Sequence, residues 1–308
     1  MSMLRGAERS WNPTRRGTFV ARVLPLIPVL LAASATSFAE VSPQSVTACT
    51  TLRKAGSYEI DSSLTASGSA DCIEIAASDV VLNLNGWPIA GGGGGVGVHI
   101  LRTSANAYVE GRGAIISGFA EGIEIDSTSA VLENFTVSSN SGAGVYLDNA
   151  RQAKVANFIT SGNLDGVEIN SGTGNIVQSA TATSNTRYGF WLDSTTYNAI
   201  GGFEAADNEM AGVYIGCSLT GPQGAKCPVK VKPSDYNSIF DGSAVRNSAG
   251  VQAFGIAIDL GNSNNRVSGV MASFNSQTDA VDDNPDCGDN IWIAITEGST
   301  NQAFGCIP

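Results

Sequence analysis

Four short segments place acidic and aromatic side chains at one fixed offset. They are GIEID (122–126), GVYLD (144–148), GVEIN (166–170) and GFWLD (189–193). Residues two apart on an extended strand share a face. Glu124, Tyr146, Glu168 and Trp191 therefore line up with Asp126, Asp148, Asn170 and Asp193, provided the segments stack. Stacked strands lie about 4.8 Å apart, which puts Asp126 and Asp148 at a retaining-glycosidase spacing of roughly 5 Å. Glu124 and Glu168, two strands apart, fall near 10 Å, at or just past the inverting range. Carboxylates packed in this way raise one another's pKa and favour a general acid near neutral pH. The oxygens of Asp126, Asp148, Asn170 and Asp193 also suit a calcium ion, which takes several oxygen ligands. Rings at Tyr146, Trp191 and Tyr214 offer apolar planes on which a sugar can pack. The competing readings are a solvated acidic face and large β-formers that stabilise one another by stacking.

The stacking follows from a repeat. GVHI (97–100), GIEI (122–125), GVYL (144–147), GVEI (166–169), GFWL (189–192), GVYI (212–215) and GIAI (255–258) recur, with the first six glycines 25, 22, 22, 23 and 23 residues apart. The last gap, 43 residues, reads as one coil plus an insertion. Between the tetrads runs a second element that ends in Asn140, Asn163, Asn185 or Asn208, with looser versions closed by Asn247 and Asn275. About 22 residues is too few for a helix pair, and Val, Ile, Thr, Gly and Asn suit short strands and tight turns. Strands this short need neighbours to complete their hydrogen bonds. One Asn per coil at the same turn predicts an amide ladder. The Gly-Φ-x-Φ parity buries the Φ pair and turns x outward, giving the column Glu74, His99, Glu124, Tyr146, Glu168, Trp191, Tyr214 and Ala257. Trp191 is thereby expected to be exposed.

These units resemble the right-handed parallel β-helix of the pectate-lyase-like superfamily, over roughly Tyr58 to Asn275. The entry stretch 56–86 and the exit stretch 286–306 are similar to the first coils and the disulfide-closed tails of secreted β-helix proteins. The fold expected is all-β, a single-stranded right-handed parallel β-helix of about nine coils. A leucine-rich repeat is the alternative. It fails because Ala or Thr stands where leucine should recur. The resemblance implies three chemistries, none with its full motif here. The Asp282-Asp283 pair sits in the expected terminal loop without the Gly-His-Gly and Arg-Ile-Lys of polygalacturonase-like hydrolases. The Asp-Pro-His-Asp of alginate epimerases is absent. Arg187 is the nearest candidate for the groove arginine of a pectate lyase, and it is expected in a turn.

Arg5, Arg9, Arg15 and Arg16 precede the apolar run 23–33 and a small-x-small site at 37–39, the order of a signal peptide over 1–39. The run is too short to span a bilayer. Arg15-Arg16 leaves the twin-arginine route open. Without that leader, 12 basic residues face 27 acidic ones. That excess excludes nucleic acid and anionic membranes as partners and is compatible with a neutral glycan or a cation. The six cysteines all lie beyond the leader, and their clustering favours Cys49–Cys72, Cys217–Cys227 and Cys287–Cys306 in an exported, periplasmic or extracellular chain. Zinc at the cysteines is the weaker reading, since no CxxC occurs and the single histidine, His99, is far from any cysteine. Residues 40–72 are expected to cap the helix, 73–278 to form its coils and 279–308 to close it.

The insertion 216–235 holds Lys226, Lys230 and Lys232 and would be pinched by Cys217–Cys227. On a rigid scaffold such a loop can wall a binding face and meet an anionic sugar. GGGGG (91–95) lacks the Lys-Ser/Thr of a phosphate loop and reads as a turn. His99, in the outward column, is a candidate base. The resulting expectation is a monomer that contacts polysaccharide along the outward stripe, as a glycoside hydrolase or polysaccharide lyase if it is catalytic. The rival is a non-catalytic surface, adhesion or periplasmic accessory module. Replacing Lys226, Lys230 and Lys232 by serine should weaken glycan binding in an affinity titration, and unchanged affinity removes the loop from the site.

Overall fold

A computed structural model describes residues 42–216, 232–248, 253–298 and 307. The signal peptide, Cys217, Cys227, Cys306, Lys226 and Lys230 lie outside the described residues. The rest is a parallel β-solenoid built from two sheets. A ten-stranded sheet carries the tetrads, from Thr50–Leu52 and Ile73–Ile75 through Glu121–Ile125, Ala143–Asp148, Asp165–Asn170 and Tyr188–Asp193 to Thr278–Asp282. Its ten strands mark ten coils, one more than the repeat count implies. A seventeen-stranded sheet forms the remaining walls. The one helix among the described residues is the short 3-10 segment Pro285–Asp289.

The register places like on like. Glu124 pairs with His99 and Tyr146, Glu168 with Tyr146 and Trp191, and Tyr214 with Trp191 and Ala257. The 43-residue gap is thus a single coil, because Val213 lies directly beside Ile256. Inward, Ile123, Val145, Val167, Phe190, Val213 and Ile256 form one fully buried column, and Ile125, Leu147, Ile169, Leu192, Ile215 and Ile258 another.

Buried asparagines hold the coils in step. Asn140 donates its side-chain amide to Asn163 Oδ1 at 3.0 Å, and the pattern continues through Asn185, Asn208 and Asn247 to Asn275. Each Oδ1 also accepts the backbone N–H of the preceding asparagine, as Asn185 does from Asn163 at 3.1 Å. A second ladder, absent from the sequence reading, runs through Asn175, Asn198, Asn237, Asn265 and Asn290. The tetrad glycines answer to the first ladder. A Cβ on Gly189 would sit 2.6 Å from the Gly212 carbonyl oxygen and 2.9 Å from Asn208 Nδ2. Gly144 and Gly212 are confined in the same way, by Asn163 and Asn247.

The ladders end on carboxylates. Asn275 gives its amide to Asp279 Oδ1 at 2.8 Å, and Asn290 to Asp282 Oδ2 at 3.1 Å. Asp282 is fully buried on the strand Thr278–Asp282 and also accepts from Trp292 Nε1 at 3.0 Å. It therefore belongs to the tenth coil rather than to a terminal loop. At the other end Cys49 and Cys72, one coil apart, form the expected disulfide. Cys287 is disulfide-bonded as well.

Removing one rung strands its neighbours' donors in a dry interior, where each unsatisfied group costs about 1–3 kcal/mol. Asn185→Ala should therefore destabilise the protein by about 3 kcal/mol in denaturant unfolding. The exposed Gln178→Ala should stay within about 0.5 kcal/mol of the parent.

Candidate functional site

The outer face of the ten-stranded sheet carries three columns. The two expected from the tetrads are there, with Asn170 registered between Asp148 and Asp193. The third precedes the tetrad glycines: Val96, Glu121, Asp165, Tyr188, Ala211 and Phe254 among others. Sequence reasoning missed it because it took glycine as the start of the face. Together the columns divide the surface. Carboxylates dominate from Asp71 to Asp193, and aromatic and aliphatic groups dominate from Tyr188 onward.

Trp191 departs from expectation. Its backbone parity is outward, yet the side chain is only 4% exposed. Its indole N–H donates to the Gly216 carbonyl at 3.2 Å, Tyr188 lies against it at 5.6 Å, and the Arg187 guanidinium sits 4.7 Å from its ring centroid. Tyr214 stacks on Tyr188 at 4.6 Å and donates its hydroxyl to Asp259. These rings are packed on one another, so Trp191 is not an open platform. Tyr146 is half-buried, and its hydroxyl accepts the Asn170 amide at 3.0 Å. The open aromatic pair is elsewhere. Tyr197 and Tyr236, 64% and 48% exposed, stack at 5.1 Å at the corner beyond the sheet. Both adopt left-handed backbone, at φ 59° and 58°, where neighbouring coils use Gly174 and Asn264. The shared Tyr-Asn pairs at 197–198 and 236–237 are the signal that would have found them.

Arg187 lies in the bend before its strand and binds Asp165 through two nitrogens, with Nε 3.2 Å from Oδ1. Asp165 is fully buried and also accepts the Tyr188 N–H. Arg187 is thus engaged in an ion pair and is not a free groove base. Asp193 is buried, accepts from Ser194 at 2.9 Å and has further partners. Lys232 is exposed.

Burial pushes the Glu168 carboxyl up to about 8, helped by Asp165, Glu121 and Asp193 and opposed by Arg187. Burial likewise lifts Glu121 to about 7, against a hydrogen bond from the Ala143 N–H. Glu124 and Asp148 also rise, each first through burial. Asp126 adds to both. Desolvation outweighs the mutual repulsion expected from the sequence. Glu168 and Glu121 are consequently raised furthest toward neutral pH among the acidic groups of this face.

Of the four residues expected to hold calcium, Asp126 falls in a three-donor cluster of His, Cys, Asp or Glu. Among the described residues, three-donor clusters form at Asp71, Glu74 and His99 and at His99, Glu124 and Asp126. Asp148 and Asp193 belong to neither. The Asn170 amide is committed to Tyr146 and Ser171.

Residues 96–292 match the family described as right handed beta helix region. The chain belongs to this family. No curated protein matches the sequence. Among solved structures, the Dettilon tailspike protein aligns at a TM-score of 0.52 and 11% identity, over 82% of this chain and 60% of its own. Tailspike protein 2 of an Escherichia coli O157:H7 bacteriophage, CAB120, aligns at 0.52 and 15%, over 74% and 34%. A periplasmic alginate epimerase aligns at 0.47 and 15%, over 68% and 50%. The chain spans less than two thirds of each of these proteins, and the likeness to the two tailspikes is one of fold.

The Glu168 shift has a signed consequence. Its folded value, near 8, exceeds the ordinary 4.5, so the folded β-helix binds more protons than the unfolded chain between those values. The Glu168 contribution to stability is therefore lost as pH rises from about 4.5 to about 8. Glu168→Gln should flatten that part of the pH–stability profile and raise the melting temperature at pH 9 relative to the parent. An unchanged profile means that Glu168 titrates normally.

Proposed function

We propose that this β-helix protein is exported and binds a polysaccharide along the outer face of its ten-stranded sheet. The observation that carries the reading is the register-locked alternation of Tyr146 with Glu124 and Glu168, continued by Asp126 and Asp148. A glycan chain laid along the solenoid axis meets a hydrogen-bonding group about every 4.8 Å. Glu168, its carboxyl pushed up to about 8 by burial, can donate to a sugar oxygen when protonated as well as accept. The exposed Tyr197–Tyr236 stack takes over the platform role first given to Trp191. The Cys49–Cys72 disulfide supports export. No described helix is long and apolar enough to cross a membrane.

Within this reading Glu168 is the candidate acid of a glycoside hydrolase. A lyase is less well served, because Arg187 is held by Asp165. That same ion pair, with the closed packing of Trp191, favours the second reading, a non-catalytic adhesion or accessory module.

A glycan panel followed by product analysis tests the proposal. Glu168→Ala and Tyr146→Ala should each weaken polysaccharide binding about tenfold, the loss of roughly 1.4 kcal/mol. Full affinity in both variants removes the face from the site. New reducing ends that vanish in Glu168→Gln would establish hydrolysis. Binding without products would establish the accessory module.

A further inference from the structure

We propose that His99, Glu124 and Asp126 form a binding site for a divalent transition cation of the zinc class, with Asp71 as the residue that orients the imidazole. His99 Nδ1 lies 3.0 Å from Asp71 Oδ2. A carboxylate only accepts, so Nδ1 carries the hydrogen, and in the neutral ring Nε2 then presents its lone pair. Nε2 has two carboxylates beside it, Glu124 Oε2 at 3.8 Å and Asp126 Oδ2 at 3.6 Å. Three electron-rich atoms facing one another repel unless a cation lies between them. A proton on Nε2 would supply the charge but not the bonds, because both separations exceed hydrogen-bond reach. Nε2 is shielded from solvent and has no hydrogen-bond partner, and the same holds for Asp126 Oδ1.

The distances suit a metal better. Zinc bonds of about 2.0–2.2 Å at tetrahedral angles place donor atoms about 3.4 Å apart. The separations at Nε2 are a few tenths of an ångström wider, within the reach of small side-chain rotations. The donor atoms of all three residues lie within 4.8 Å of one another. Asp71, His99 and the ion would form the carboxylate–histidine–metal chain that fixes tautomer and ring orientation at metal centres. An imidazole among the donors favours zinc over calcium, which takes oxygen ligands. Three protein donors leave a coordination position for water or for a sugar oxygen on the open side of the sheet. Strand pairing secures the placement, since Glu124 is registered directly beside His99. This site shares Asp126 with the four-oxygen calcium set expected from the sequence but takes its other donors from His99 and Glu124, and it does not depend on polysaccharide binding.

His99 is the single histidine, and no free cysteine competes among the described residues. Zinc titrated calorimetrically into chelator-treated full-length protein should therefore bind at one saturable site per chain. His99→Gln and Glu124→Gln should weaken it at least about tenfold, and Asp71→Asn between about 10- and 100-fold. Cobalt loaded into the same protein should give a visible d–d spectrum that is lost in His99→Gln. If His99→Gln does not fold, Asp126→Asn carries the same comparison. No saturable zinc binding, zinc affinity unaffected by these substitutions, or calcium bound as tightly as zinc would each overturn the assignment.

Discussion

A buried amide has to be answered on both sides, and that requirement organises this molecule. Each asparagine of the first ladder gives its Nδ2–H to one coil and takes N–H groups from the coil before it. The geometry closes only if successive coils sit one strand spacing apart in the same register. The ladder also presses on the tetrad glycines, where any Cβ would strike the next glycine's carbonyl or an asparagine amide. Amide and glycine columns are therefore one device. A slip by one residue would break the ladder and turn the aliphatic columns out to water. Register in turn decides which side chains meet on the outer face.

That face is electrostatically divided. Its acidic half holds few cations, and the best placed of them, Arg187, is bound to buried Asp165 and laid over Trp191. For the remaining carboxylates burial outweighs what nearby cations return, which is why Glu121 and Glu168 are raised to about 7 and about 8. The aromatic half closes on itself, with Tyr188 between Trp191 and Tyr214. Half-buried carboxylates gather in the first half and packed rings in the second.

Much of this was readable in advance, for a physical reason. Solenoid coils repeat both spacing and side-chain parity, so the Gly-Φ-x-Φ columns, the first asparagine ladder and the Cys49–Cys72 bridge could be laid out from the chain alone. What failed was local. Parity tells where the Trp191 Cβ points, not that Arg187 and Tyr188 fold over the ring. The residue before each tetrad glycine was left unread, which hid Glu121, Asp165 and Tyr188. The second ladder begins only at Asn175, since Ala107, Ala130 and Ala153 fill its place in earlier coils, and a partial column is harder to see than a complete one. The sequence marks His99 as a candidate base in the outward column but not its orienting partner, because Asp71 lies outside the tetrad columns altogether.

Hydroxyl-radical footprinting with a polysaccharide that retains the protein on an affinity gel tests the central claim most directly. The account predicts protection at Tyr146, Tyr197 and Tyr236, with Ile115 and Ile159 on the other sheet staying reactive. Protection confined to Ile115 and Ile159 would contradict it and move the ligand to a different wall of the solenoid.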